Sequence, residues 1–448
     1  MNKKFIYILL IAFFFLVSAF VVIRYNVRQS QLKKATYPLI ERKGALATSV
    51  EWQGTKSTAQ QLINKLQYNP NDTKTAIALS SLYIQEARIT GNYVYYDAAA
   101  MKYINNVLDN EPDNFEALTL KSLLYMSQHH FADGLAIAEK AQKINPYNAL
   151  IYGILVDGNV EMGNYKVAVE NSDKMDSIRP DIRSYSRISY LREIHGDYPG
   201  AIEAMKLAVS AGGAGDEPTE WTRIQLARLY ENTGDLKNAE MHYMIALDER
   251  PGFSYATAGL GHIALANKDY SKAISLYEQA AAGLNDYAIR EELSRLYRLS
   301  GNAKRADSLL QTIIAGMNND GKKGEQDESI GHYADRELAY AYLLQNDNEN
   351  ALKHALTEYN RRPDNIDVNE TVAWVYYKMK AYDKALPYLK IALKTNCKNP
   401  VLLCDAGLIY AKTNQKDLAK STLLEALKNN PNIDPELKME SENMLKTL

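Results

Sequence analysis

Residues 219–251 read TEWTRIQLARLYENTGDLKNAEMHYMIALDERP, and this stretch decides the fold. Trp221, Ile224, Leu226, Leu229 and Tyr230 mark one side of a helix. Gly234-Asp235 breaks the pattern, and Ala239, Tyr243 and Ala246 resume it before Pro251. Helical apolar spacing interrupted by a glycine predicts two helices joined by a tight turn. A small residue where the helices cross lets the backbones approach, and aromatic rings fill the space beside it. Proline has no N–H and its ring clashes with the preceding turn, so it suits the link that follows.

The unit recurs along the chain. Ala239 belongs to a beat of small residues: Ala100, Gly134, Ala168, Ala201, Ala239, Ala273, Ala306, Ala351, Ala385 and Ala419. The gaps are 34, 34, 33, 38, 34, 33, 45, 34 and 34. Alanine is only 52 of 448 residues, so nine alanines in ten such slots do not come from composition. Twelve residues on stand Pro112, Pro146, Pro180, Pro251, Pro363 and Pro431, with Asn285 and Cys397 in two other units. Nine residues before stand Tyr125, Tyr230, Tyr297, Tyr342, Tyr376 and Tyr410. A period of about 34 marks a stacked helix-pair repeat. One pair cannot bury its apolar faces alone, but a stack can.

These residues resemble the tetratricopeptide repeat family. Its paired alanines match Ala239/Ala246, Ala273/Ala280, Ala385/Ala392 and Ala419/Ala426, and its small first-helix position matches Gly261 and Gly407. The resemblance runs from about residue 70 to residue 431. It implies an all-α fold, a right-handed superhelical solenoid of about ten helix pairs. It further implies a concave groove, lined by first helices, that binds a peptide or protein. The groove positions it implies are Arg187, Arg228, Tyr255, His262, Glu291, Arg295, Arg298, Arg336, Tyr340, Glu370, Trp374 and Tyr377. Arginine forks and aromatic faces are common protein anchors, and five arginines suit an acidic or carboxylate-ended peptide. The competing reading pairs these arginines with neighbours such as Glu291 and Glu292, since surface ion pairs are common and weak. The lysine/asparagine clamp with which some family members hold chaperone tails is absent from these positions.

The departures from the beat are read as local insertions. Ala211-Gly-Gly-Ala-Gly215 fills the gap of 38, and polar, glycine-studded residues 316–329 fill the gap of 45 as a surface loop. The first repeat carries about eight extra residues around Gly91–Asp97, where Tyr93, Tyr95 and Tyr96 are expected to extend the pair's packing. The chain then divides into a short basic tail (1–4), an apolar span (5–23), a polar tether (24–54), an N-terminal capping helix (55–69), the solenoid (70–431) and a C-terminal capping helix (432–448).

Phe5 to Ile23 is uncharged and apolar, and nineteen helical residues span about 28 Å, close to the hydrocarbon thickness. Two readings stay open. The apolar run continues through Phe20–Ile23, which favours a retained signal-anchor. Val17 and Ala19 would also allow cleavage as a signal peptide. A basic leader before an apolar run is the usual export signal and favours an extracytoplasmic solenoid. Arg24, Arg28, Lys33 and Lys34 argue for the opposite, cytoplasmic orientation. Residues 1–43 carry net +7 and the rest net −9. The basic end suits an anionic membrane surface, and the acidic solenoid excludes a broad nucleic-acid stripe.

No catalytic constellation stands out. Gly259-Leu-Gly-His-Ile-Ala264 mimics a dinucleotide loop but lies within a repeat's first helix, without the preceding strand such a loop needs. His129-His130 is read as a solvated turn without the converging ligands a metal requires. Cys397 and Cys404 are read as free thiols. The expectation is a non-catalytic, cofactor-free, membrane-tethered interaction scaffold in an envelope assembly or secretion complex. The alternative is a regulatory or substrate-presenting subunit of a separate enzyme. Self-association stays open.

Overall fold

The computed structural model describes residues 3–34, 37–326 and 331–448. Among them are 23 α-helices, one short 3-10 helix and no strand. Helix α1 (Lys3–Lys34) contains one stretch, Leu10–Val27, apolar enough to cross a membrane, a property that signal sequences share. Helix α2 (Val50–Tyr68) stands unpaired. Ten antiparallel pairs follow: α3/α4 (Thr73–Thr90, Tyr93–Asn110), α5/α6 (Phe115–Ser127, Phe131–Ile144), α7/α8 (Ala149–Glu161, Tyr165–Ile178), α9/α10 (Ile182–Ile194, Tyr198–Ser210), α11/α12 (Glu217–Asn232, Leu236–Glu249), α13/α14 (Ser254–Ala266, Tyr270–Gly283), α15/α16 (Tyr287–Leu299, Ala303–Gln326), α17/α18 (Asp335–Leu344, Asn348–Arg361), α19/α20 (Ile366–Lys378, Tyr382–Ala392) and α21/α22 (Pro400–Lys412, Lys416–Asn429). Helix α23 (Pro435–Leu445) closes the stack.

The beat residues are the crossing points of these pairs. All nine alanines are fully buried, and Gly134 is buried. Their first-helix partners are small, so the backbones come close. The hydroxyls of Ser122, Ser189 and Ser294 donate to the carbonyls of Gly134, Ala201 and Ala306 at 2.7, 2.7 and 2.9 Å. A Cβ on Gly407 would stand 2.5 Å from Leu423, so glycine is required there by space.

The residues 37–54 differ from the expected tether, and the capping helix starts at Val50 rather than residue 55. The segment straps across the first pair. Tyr83 and Tyr95 donate to the carbonyls of Tyr37 and Pro38 at 2.6 Å each, and the Tyr96 hydroxyl accepts from Ile40 N–H at 2.9 Å. Arg42, almost fully buried, pairs with Glu86 at 2.5 Å and Glu51 at 3.0 Å. The tyrosines near Gly91 therefore hold the strap, and Gly91 simply ends α3. The other departure is at 316–326, where the expected loop continues helix α16. Met317 is buried there, and Tyr287 donates to Asp320 at 2.9 Å. Packing overrides the low helix propensity of Gly316 and Gly321. The remainder of that expected loop, 327–329, lies outside the described residues.

The solenoid closes on itself. The turn inside each of the first five pairs lies against a link about 200 residues downstream, roughly six pairs ahead. Thus Gly91 lies against Asn285, His129 against Tyr333, Gly163 against Asp364, Gly196 against Asn396 and Gly234 against Pro431. Backbone bonds join the layers directly: Asn285 N–H donates to Thr90 O at 3.1 Å, and Tyr333 N–H to Gln128 O at 3.0 Å. Arg362, 5% exposed, pairs with Glu161 across the seam and with Glu358 on its own helix at 2.6 Å. Ile366 N–H donates to the Tyr165 hydroxyl at 2.9 Å. The N-terminal strap joins the same seam, since Arg250 binds Glu51 at 2.7 Å. His129 and His130 are therefore part of this packed seam instead of a solvated turn. The His130 ring stacks on Tyr333 at 4.0 Å and is 4% exposed.

Candidate functional site

First helices line the inside of the coil, because second helices pack outside them. Together they border a half-open central cavity of about 1690 Å³. Ser186, Arg187 and Tyr190 reach it from α9, Trp221, Gln225 and Arg228 from α11, and Asp367 and Glu370 from α19. Arg88 of the first pair meets Glu217 of the fifth at 3.0 Å within this lining. Tyr190, 38% exposed, is part of this wall, and the desolvation there, reinforced by Asp367 and Glu161, holds its hydroxyl well above the ordinary range.

Of the expected groove residues, Arg187, Arg228, Tyr255, Arg336, Tyr340 and Glu370 line this cavity. His262, Glu291, Arg295, Arg298, Trp374 and Tyr377 are not in its lining. His262 is 3.5 Å from Glu231. Trp374 and Tyr377 stack on each other at 4.9 Å, and the Tyr377 hydroxyl donates to Glu440 at 2.7 Å. Glu291 is pushed up to about 7 by burial and by Glu292 and Glu337.

Three of the five arginines are already paired. Arg187 grips Asp157 through two nitrogens at 2.9 and 2.5 Å and also donates to Gly153 O. Arg295 pairs with Glu292 at 3.1 Å and with Asp434, the N-cap of α23, at 2.7 Å, tying α15 to the closing helix. Arg298 pairs with Asp307 at 2.5 Å and donates to Leu344 O. Arg336 donates to Thr371 at 3.3 Å. Burial opposes its charge, but Asp367, Tyr340, Glu337 and Glu370 outweigh burial and raise its pKa. Arg228 faces Glu193, whose carboxyl is raised by burial in spite of that guanidinium. The positive surplus expected of the groove is therefore largely cancelled within the chain.

The interior acids were less legible. Asp367 and Tyr190 were not among the expected groove residues, although each stands one helical turn from one that was, Glu370 and Arg187. Asp405 stands one residue past the Glu370 slot of the next repeat, which Cys404 fills. Burial and Asp367 push Glu370 up to about 7, while Arg336 opposes them. Burial, with Glu370 beside it, holds Asp405 well above the usual carboxylate range. Both cysteines are free and buried. Among the described residues, no three His, Cys, Asp or Glu side chains converge as metal ligands would.

Comparison with known proteins agrees with this architecture. Tetratricopeptide repeat family models match residues 224–289 and 401–433. Over 94 residues the chain is 30% identical to tetratricopeptide repeat protein 21B of Xenopus laevis. That alignment covers 21% of this chain and 7% of the relative, so the chain spans a small part of the relative's length. A tetratricopeptide repeat protein from Parabacteroides merdae superposes with a TM-score of 0.42 at 17% identity, covering 55% of this chain and 93% of that one. The Cut9–Hcn1 hetero-tetramer structure of the APC/C gives 0.40 at 16%, covering 96% and 82%. The matched segments keep the same beat as the helix pairs around them, and the chain carries tetratricopeptide repeats.

Proposed function

We propose that this protein is a membrane-tethered interaction scaffold that holds an extended segment of a partner protein inside its coil, within an envelope assembly or secretion complex. The observation that carries this reading is the half-open central cavity, lined by polar and aromatic first-helix side chains. Repeats of this kind generally mediate protein–protein contacts, and the scaffold does no chemistry of its own. Helix α1 serves as the anchor, with the solenoid outside the cytoplasm. Only residues 35 and 36 separate α1 from the strap that begins at Tyr37, so anchoring confines the coil close to the bilayer. Such confinement raises its effective concentration for neighbours on that surface. An acidic residue in the bound segment finds its counter-charge at Arg228.

A photo-crosslinking amino acid placed at Tyr190 or Arg228 of the full-length protein tests this in intact cells. Crosslinks to one membrane-associated or exported protein are expected from both positions, and none from an outer-face control at Leu207, which is 52% exposed. Crosslinking from Leu207 but from neither interior position would overturn the reading. Crosslinks only to cytoplasmic proteins would reverse the orientation.

A further inference from the structure

One end of the interior carries charge of the opposite sign to the one the arginines suggested. Asp405 on α21 is 5% exposed, and its Oδ1 has no hydrogen-bond partner. A buried carboxylate left without a partner costs free energy unless something neutralises it. Glu370 on α19 is its electrostatic neighbour and lines the cavity. Tyr340 shares the cavity lining with Glu370, while Trp374, one helical turn from Glu370, stacks on Tyr377 at 4.9 Å outside that lining. The Tyr340 hydroxyl accepts from Thr371, next to Glu370, at 3.3 Å. Carboxylates bordered by ring faces are what a desolvated cation seeks.

The other charges here do not balance this pair. Lys378 lies over the Trp374 ring at 4.3 Å but pairs with Glu440 at 3.2 Å, so those two cancel. Arg336 is the remaining cation, set against Asp367, Glu337 and Glu370. We propose that Glu370 and Tyr340 of the cavity lining, backed by Asp405, form a subsite for one lysine or arginine side chain of the segment held in the cavity. This rests on the scaffold reading above and adds the chemistry of one contact to it. Glu370 is pushed up to about 7 and Asp405 is also raised, so the empty pair holds a proton more readily than ordinary carboxylates do. A bound cation displaces that proton, so its binding strengthens as pH rises through the Glu370 range. The groups facing the pair throughout are Asp367, Arg336, Lys378, Glu440, Tyr340 and Tyr377.

A phage-displayed library of random nine-residue peptides, selected on the full-length protein in detergent, tests the proposal. Wild type is expected to enrich peptides with Lys or Arg at one fixed position. A synthetic copy of the best should bind at least tenfold more weakly to the Glu370→Gln/Asp405→Asn double variant. Its affinity should rise from pH 6 to pH 8 with wild type and stay flat with the variant. If the double variant loses its helical circular dichroism, Glu370→Gln alone is used with the same criteria. Peptides that bind without a Lys or Arg preference, or whose preference survives in the variant, overturn the subsite and leave the scaffold reading standing. Failure to select any peptide overturns both.

Discussion

The turns inside the ten helix pairs fall into two groups. Each pair carries one residue in the left-handed region. In the first five pairs these are Gly91, His129, Gly163, Gly196 and Gly234, and in the last five Lys268, Gly301, Asn346, Lys380 and Asn414. The φ angles are alike, from 59° to 86°. What differs is the space outside the turn. In the first group a Cβ on Gly91, Gly163 or Gly196 would stand 2.4, 2.4 or 2.6 Å from a backbone carbonyl oxygen of the next layer. In the second group a Cβ on Gly301 would meet nothing within 4 Å. Lysine and asparagine bear the cost of a left-handed backbone where the turn faces open space. Glycine is needed where another layer of the coil passes over it. His129 is the exception, because its ring is itself a contact: Nδ1 lies 2.8 Å from Tyr333 O, and the ring packs on His332 at 4.3 Å.

The largest expected effect comes from the charge that clasps the two layers. Arg362→Leu would strand Glu161, which burial already pushes upward against the pull of that arginine. Breaking one side of a buried pair typically costs about 3–5 kcal/mol. Hydrogen exchange in the full-length protein should show strong deprotection at residues 160–166 and 364–368 together. Deprotection at 364–368 alone would mean that the arginine serves only its own helix.

Next comes the glycine contrast itself. Gly163→Ala combines the left-handed penalty with a clash against Asp364, and should cost about 3 kcal/mol. Gly301→Ala carries the backbone penalty alone, about 1 kcal/mol. A repeat array of this length need not unfold in one step, so the readout is local exchange at each turn rather than a single melting point. Equal effects at the two sites would show that φ alone decides these positions and that the seam adds nothing.

Much of this architecture was visible in the residues. The beat of small side chains located all ten crossing points, because each depends on contacts within one pair. The strap did not show itself, since Tyr37 and Arg42 are held by partners such as Tyr83 and Glu86 that no local pattern connects to them. The seam escaped for a similar reason. It depends on how many pairs complete one turn of the coil, which a period of 34 does not state. The signal that was available is the switch from glycine to lysine and asparagine halfway along the turns. The groove register placed Arg187, Arg228, Tyr255, Arg336 and Tyr340 in the cavity lining. It could not show that Asp157 and Asp307 occupy Arg187 and Arg298, because each acid lies on a different helix from its arginine, whereas the competing reading named Glu292, which does pair with Arg295 one turn away.

The smallest effect concerns the one seam contact built from histidine. Burial, and then His129 beside it, lowers His332 to about 3. An unfolded histidine titrates near 6.5, so between those values the unfolded state binds the proton that the folded state refuses. Stability at this contact is therefore complete above pH 6.5 and falls as pH drops toward 3. At pH 5 the loss should be on the order of 2 kcal/mol or less. Exchange at residues 127–131 and 331–334 should accelerate between pH 7 and pH 5, after correction for the intrinsic rate, while the glycine contacts at Gly91 and Gly163 stay protected. His332→Gln should remove that acid response and leave protection at pH 7 nearly unchanged. If the glycine contacts loosen in parallel, the acid sensitivity belongs to the whole coil, and the seam is one cooperative surface instead of a row of separate fasteners.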